Sequence, residues 1–395
     1  MPTMLRRFFS RSAPVRVEPF FGFRNATTLY LTTRAIRAPE PVFERRNFVA
    51  DFATMAGQYF SREVAGLPVE LEYECADGTS VSKTLTTGPE GFARFELDIT
   101  PACDQPPRTR WERATIRWSA SEHPGESGEV SAYILTPGTQ TLTGVISDID
   151  DTILETGITG DIRAILRNWK RVMAQMPSQR TIVPGASDFY AAIGGRPETP
   201  HEAKPNLDEL VPRARVRPVF YVSSSPWNLF SYLVTFKRQR GLPLGPVMLR
   251  DWGFNRKTLG KEGHGSHKRT AILEILAAFP HLRFALIGDD SQKDLVAFGK
   301  IAAEQPDRIA AIFIRSISEE PLSAEQVAAK QAIGDAGVPF WTGSNYAQAH
   351  DFLAEAGLDF EGGVERLVET ASEGKAVSRL GVGVGDAGRG GARAA

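Results

Sequence analysis

The chain has 395 residues, 42% of them hydrophobic and 24% charged, with a formal net charge of −1. That length predicts about two or three domains, and the composition is that of a globular chain able to bury a full core. Near-neutral charge removes any global electrostatic case for nucleic acid, so no nucleic-acid partner is expected. No run approaches the roughly 18 consecutive apolar residues of a membrane span.

Residues 1–20 form a basic N-terminal segment, in which Arg6, Arg7, Arg11 and Arg16 precede the first acidic residue, Glu18. It lacks the apolar core and cleavage site of a secretory leader. It can touch an anionic bilayer surface or remain a frayed terminus.

Residues 21–140 read as an all-β sandwich domain. Val69, Leu71 and Tyr73 alternate with Glu70, Glu72 and Glu74, the period of a strand with one buried face. Ala93, Phe95 and Leu97 repeat it after the turn Gly88-Pro89-Glu90-Gly91, and shorter runs follow at 115–118 and 130–134. Short strands between Gly, Pro and Asp clusters suggest the sandwich. Leu135-Thr136-Pro137-Gly138 reads as its boundary. The two cysteines, Cys75 and Cys103, can pair or stand as separate thiols; separate thiols in a reducing compartment are the expectation, which goes with a cytoplasmic location.

Residues 141–358 change rhythm to strands alternating with helices. Val145-Ile146-Ser147, Val219 to Val222, Phe284 to Ile287 and Ala310 to Ile314 are continuous apolar runs, as in a parallel sheet buried on both faces. Ligands bind beyond the carboxyl ends of such strands, and the polar residues lie there. Residues 153–218 are too many for a simple crossover and predict a small cap with a helix over 161–176. That helix sets Arg163, Arg167, Lys170 and Arg171 beside Ile162, Ile165, Leu166, Trp169 and Met173, suited to an anionic membrane or to packing on its own sheet. Residues 359–395 read as a flexible tail rich in Gly, Ala and Arg.

The first run ends in Asp148-Ile149-Asp150-Asp151-Thr152. Two carboxylates two residues apart at a strand end can face one site. One can attack phosphorus, and the other can protonate the leaving alkoxide and then activate water. Like charges this close call for a divalent cation, and a hard, oxygen-preferring ion such as Mg²⁺ fits. An acidic loop capping a helix is the plainer reading of this motif alone. Three further strand ends and helix starts argue against it. Ser223, with Ser224, follows the second run and can hold a phosphoryl oxygen. Lys268 opens a helix with an apolar stripe of Ile272, Ile275, Leu276 and Phe279 and Ser266 as N-cap. His264 and His267 flank it and are better suited to ordering that loop than to binding Mg²⁺. Gly288-Asp289-Asp290-Ser291-Gln292-Lys293-Asp294 ends the third run with carboxylates suited to a metal.

This ordered set resembles the haloacid-dehalogenase superfamily of phosphotransferases. The resemblance implies Asp148 as nucleophile, Asp150 as general acid/base, Ser223 and Ser224 at the phosphate, and Lys268 stabilising the phosphoryl group. It implies Asp148, Asp150 and Asp289 as metal ligands, with Asp290 and Asp294 as further ligands or supports. Longer blocks are similar to the actin-patch-type phosphatidate phosphatase family: residues 145–152, Tyr221 to Trp227, Leu249-Arg250-Asp251-Trp252-Gly253, His267-Lys268 and residues 287–294. The turn Thr87-Gly88-Pro89-Glu90-Gly91-Phe92 is similar to bacterial members. The resemblance implies a haloacid-dehalogenase-like α/β fold and Mg²⁺-dependent conversion of phosphatidate to diacylglycerol and phosphate, by a peripheral enzyme of lipid metabolism. The rivals are a phosphatase of a soluble phosphomonoester and a non-catalytic lipid or protein adaptor.

Overall fold

The structure, a computed structural model, describes residues 14–37, 62–119, 127–149, 152–153, 183–195, 212–250, 264–290, 293–317 and 321–359. The helix expected over 161–176, Asp150 and residues 381–395 lie outside these.

Among the described residues nine strands come first: β1 (Val15–Pro19), β2 (Gly22–Arg24), β3 (Thr28–Arg37), β4 (Arg62–Glu63), β5 (Pro68–Glu74), β6 (Ser80–Thr86), β7 (Phe92–Asp98), β8 (Arg110–Trp118) and β9 (Gly128–Thr136). The alternation at Val69, Leu71 and Tyr73 buries those three side chains and leaves the intervening glutamates nearer solvent. The expected two-sheet sandwich is replaced by one hydrogen-bonded sheet of order β1-β3-β2-β9-β8-β5-β6, with β4 and β7 also paired to β3. The physical reason is β3, whose ten residues pair with β7 and β4 as well as with β1 and β2. The sheet curls until its ends meet, where Lys83 Nζ of β6 donates to Glu96 O of β7 (2.6 Å). Leu29, Leu31, Val69, Leu71, Ile116 and Ile134 share the core inside, each contributing roughly 1.5–3 kcal/mol.

The same curl corrects the expectation of separate thiols. Cys75, just after β5, and Cys103, after β7, are joined in a disulfide with Cα atoms 5.7 Å apart, within the usual range. On the chain-entropy account, closing a loop of this length stabilises by about 3–4 kcal/mol. Two further boundaries differ from expectation. Val15–Pro19 belongs to the sheet and not to a basic tail, and Leu135 and Thr136 end β9.

The second sheet holds β10 (Thr143–Ser147), β11 (Val219–Pro226), β12 (Val247–Arg250), β13 (Arg283–Asp289), β14 (Ile309–Arg315) and β15 (Phe340–Gly343). Its order is β12-β11-β10-β13-β14-β15 and every pairing is parallel. Along each strand successive side chains serve opposite faces. Val145, Tyr221, Ile287 and Phe313 pack with α1 (Ala186–Gly194), α2 (Phe230–Gln239) and a C-terminal helix, α6 (Ala349–Glu355). Ile146, Phe220, Leu286 and Ile312 pack with α3 (His264–Ala278), α4 (Asp294–Glu304) and α5 (Ala324–Asp335). Helices therefore cover both faces. β10 is central, and the chain leaves it first toward β12 and then toward β15, so the crevice at its carboxyl end is the topological switch point.

The two sheets abut directly. Phe23 packs on Phe220 and Phe279, with ring centroids 5.6 and 5.8 Å away, and Asn25 Nδ2 donates to Ala278 O (3.0 Å).

Candidate active site

Asp148 is the residue after β10 and is buried, with its backbone N–H donating to Ile287 O of β13 (2.8 Å). Asp289 is the last residue of the neighbouring strand, β13. Parallel pairing of β10 with β13 therefore brings two strand-end carboxylates side by side. Asp294 joins them from the first turn of α4. Gly288 permits this, since a Cβ there would lie 2.6 Å from Asp294 Oδ2 and 2.9 Å from Phe298. Lys293, at φ 66°, makes the left-handed turn that starts α4. One carboxylate oxygen from each of Asp148, Asp289 and Asp294 lies within 4.8 Å of the others, and all three residues are buried. Such a donor set, oxygen only and acidic, fits a hard divalent cation.

Lys268 completes the cluster. Its Nζ lies 2.8 Å from Asp148 Oδ1 and 2.5 Å from Asp294 Oδ1. Burial alone would lower its pKa, but Asp148, Asp294 and Asp289 outweigh burial and hold it well above the usual lysine value. It is a fixed cation. The sequence reading set Lys268 at the start of a helix capped by Ser266. In the fold α3 begins at His264, so both residues lie inside it. The expected stripe of Ile272, Ile275, Leu276 and Phe279 is buried, and that stripe turns Lys268 inward.

Ser223 is fully buried on β11, beside the strand that delivers Asp148. Ser224 is the next residue of β11, and its side chain falls outside the described part, as do those of His264 and His267. Asp290 is not part of the acidic trio. Its Oδ1 accepts the Ile317 N–H (2.8 Å) and its backbone O accepts Gln326 Nε2 (2.9 Å), so it braces the start of α5 and the chain after β14. Asp150 lies outside the described residues.

Three residues without an expected role, Thr152, Ser147 and Tyr190, support the strand ends that carry the carboxylates. Thr152 Oγ1 lies 3.2 Å from Asp148 Oδ2 and 3.1 Å from Asp289 Oδ2, so one hydroxyl ties two strand ends together. Its place four residues after Asp148 was the signal available. Ser147 Oγ donates to Asp148 O (2.6 Å), which leaves Tyr190 OH to donate to Ser147 Oγ (2.6 Å). Burial raises the Tyr190 pKa well above the usual phenol value and keeps that proton in place. Nothing in the sequence around Tyr190, some forty residues away on α1, points to this contact.

Comparison with known proteins falls on the same part of the chain. Residues 143–316 match the family model described as phosphatidate phosphatase APP1, catalytic domain. Phosphatidate phosphatase APP1 of Saccharomyces cerevisiae is 32% identical over 188 residues, which is 47% of this chain and 28% of the yeast protein. The uncharacterized protein C29B5.04c of Schizosaccharomyces pombe is 26% identical over 177 residues, covering 45% of this chain and 25% of its own length. The chain thus spans little more than a quarter of the curated relatives it matches. The residues that the family model matches include Asp148, Ser223, Lys268 and Asp289, and the nine-stranded sheet stands outside them.

Proposed function

We propose that the chain is a Mg²⁺-dependent phosphatidate phosphatase of the haloacid-dehalogenase type, working through an aspartyl-phosphate on Asp148. The observation that carries this reading is Lys268 Nζ held between Asp148 and Asp294 in a buried acidic cluster, within a segment that matches the APP1 catalytic domain.

Asp148 attacks the phosphorus of the monoester while the diacylglycerol oxygen leaves with a proton from Asp150. Water then hydrolyses the acyl phosphate, with Asp150 taking the proton, and releases phosphate. Lys268 offsets the charge of nucleophile and phosphoryl group, and Ser223, with Ser224, hydrogen-bonds the phosphoryl oxygens. Asp148, Asp289 and Asp294, with Asp150 as the sequence predicts, would hold Mg²⁺, which when bound neutralises phosphoryl charge. Asp290 supports the fold of the site.

No helix of the described residues is long and apolar enough to cross a membrane. We place the enzyme at a cytoplasmic membrane surface, met through the basic segment 1–20 and the helix expected over 161–176. A disulfide is commoner in oxidising compartments, so the redox state of Cys75 and Cys103 in protein taken directly from cells decides the compartment.

The test is phosphate release from phosphatidate vesicles, other phospholipids, sugar phosphates and nucleotides, with and without Mg²⁺. The expected result is Mg²⁺-dependent release, fastest from phosphatidate. Faster turnover of sugar phosphates, with vesicles ignored, would overturn the lipid assignment and spare the catalytic one. No release from any phosphomonoester would sink the reading and return the chain to an adaptor role.

A further inference from the structure

The turn Thr87-Gly88-Pro89-Glu90-Gly91-Phe92 carries no catalytic group, yet it is held at nearly every atom that can bond. Thr87 Oγ1 donates to Val64 O (2.7 Å) and accepts the Leu67 N–H (2.9 Å). Gly88 N–H donates to Phe92 O (2.9 Å), Gly91 N–H to Gly88 O (2.9 Å), and Ala35 N–H of β3 to Gly91 O (2.8 Å). Gly91 sits at φ +78° with its backbone against Ala35 O, where a Cβ would come within 2.4 Å. Only glycine meets both demands. What the turn presents is the ring of Phe92, braced by the guanidinium groups of Arg34 and Arg94, 5.1 and 5.0 Å from its centroid.

Phe92 points across the junction at Trp227, with centroids 5.8 Å apart. Phe20, just after β1, lies 4.5 Å from Trp227 and 4.6 Å from Phe230. Trp227 directly follows Pro226, the last residue of β11, the strand that carries Ser223. The pairing of β11 with β12 is regular up to Ser223 and shifts register between Ser223 and Pro226. Ser224 and Ser225 are therefore left out of that ladder, which resumes only at Pro226, opposite Arg250 and directly before the aromatic anchor at Trp227. Both anchoring rings, Phe20 and Phe92, lie outside the segment that matches the catalytic family.

We propose that the N-terminal sheet is a positioning element of the phosphate site, in which Phe20 and Phe92 clamp Trp227 and so hold the Ser223–Pro226 stretch in its phosphate-binding shape. This rests on the reading that Ser223 and its neighbours bind phosphate. A displacement of about 1 Å at a binding group can cost up to 10²-fold in rate, so a partial loosening is expected to cost roughly tenfold.

The experiment uses the full chain, with p-nitrophenyl phosphate as substrate and inorganic phosphate as competitive inhibitor. Phe20→Ala and Phe92→Ala should each raise KM and the phosphate inhibition constant together by roughly five- to tenfold, with kcat changed less. Phe20→Leu and Phe92→Leu, which keep apolar volume, should restore most of the loss and serve where the alanine variants fold poorly. Phe95→Leu, buried in the core of the same sheet and away from Trp227, should lower the melting temperature and leave the phosphate constant unchanged. Wild-type constants in folded Phe20→Ala and Phe92→Ala would overturn the proposal. So would losses in all variants, Phe95→Leu included, that simply track melting temperature. An inactive wild type would sink the phosphatase reading instead. Phosphate affinity by calorimetry then decides the clamp, with weaker binding in Phe20→Ala supporting it and equal binding, or none by the wild type, overturning it.

Discussion

Two buried ionic clusters, one in each sheet, are built on opposite principles. In the nine-stranded sheet, Arg24 Nε and Nη2 donate to the two oxygens of Glu112 (2.6 and 3.0 Å), and Tyr73 OH and Thr136 Oγ1 donate to Oε2 (2.6 and 2.7 Å). Arg24 also reaches the backbone oxygens of Asn25 and Asp104. Arg110, half exposed, adds Nε and Nη2 to Oε1 from the solvent side (2.8 and 2.7 Å), so the one buried anion is met by two guanidinium groups and two hydroxyls. At the carboxyl ends of β10 and β13, three carboxylates surround one ammonium. Counting those four groups alone, the second cluster carries an excess of negative charge that a divalent cation would complete. The first cluster leaves its carboxylate fully met by the protein's own groups, whereas the second leaves anionic charge for a ligand to meet.

The sharpest test is Asp148→Asn. Turnover should fall by roughly 10³-fold or more, because an amide cannot form the acyl phosphate. The melting temperature should hold or rise, since one of three crowded carboxylates is gone. Kinetics and calorimetry on the same preparation check both, and substantial residual turnover would break the mechanism.

Lys237 on α2 is a third kind of buried charge. It is 1% exposed, its Nζ lies 3.7 Å from the Tyr221 ring centroid, and that Nζ has no hydrogen-bond partner among the described residues. Burial lowers its pKa to about 7. Between pH 7 and 10.5 the unfolded chain binds the proton that the folded chain has lost, so this group makes stability rise with pH across that window. Lys237→Met should stabilise by up to roughly 5 kcal/mol near pH 6, less whatever the Tyr221 ring returns to the charge. The gain should vanish toward pH 10. Denaturant melts of both proteins at several pH values measure it, and a constant difference would refute a neutral lysine.

Glu112→Gln reports on the cluster around Arg24. Burial alone would raise the Glu112 pKa, but the hydrogen bonds and charge of Arg24, with Tyr73 and Thr136, bring it down to about 2. A depressed carboxylate stabilises above its unfolded pKa and loses that contribution as pH falls from about 4.5 toward 2. The variant should cost about 3 kcal/mol at pH 7 and show a flatter acid profile. Its kcat should be that of the wild type, and a kcat loss at retained fold would blur the distinction between the clusters.

The smallest effect is metal-linked. Mg²⁺ should stabilise the wild type by about 2–3 kcal/mol at a hundred times its dissociation constant, read as a higher melting temperature. Asp289→Ala should lose that rise, while Glu112→Gln should keep it. Thermal melts with and without Mg²⁺ settle this without an activity assay, and no stabilisation of the wild type would remove the metal from the acidic cluster.

The reach of the sequence differs between the same two regions. Val145-Ile146-Ser147 and Phe284 to Ile287 are continuous apolar runs, so their strands and the carboxylates at their ends could be read directly. β12 and β15, at four residues each, are too short to show a period. In the first sheet the alternation at Val69 to Tyr73 was legible, whereas β1 to β4 were not. The burial pattern of β3 departs from period two over Arg34, Ala35 and Ile36, where the strand pairs on both edges.

What the sequence by itself determined is local: which residues end each strand, and hence the candidate chemistry of Asp148, Asp150, Ser223, Lys268 and Asp289. Only the tertiary structure decided who meets whom. The disulfide, the Tyr190–Ser147 contact, the Lys268 bridge to Asp294 and the Phe20–Trp227–Phe92 junction all join residues whose separation along the chain carries no periodic trace. Their proximity comes from the order of strands in the sheet and the burial of each element's apolar face, and a period of two or 3.6 residues cannot encode either.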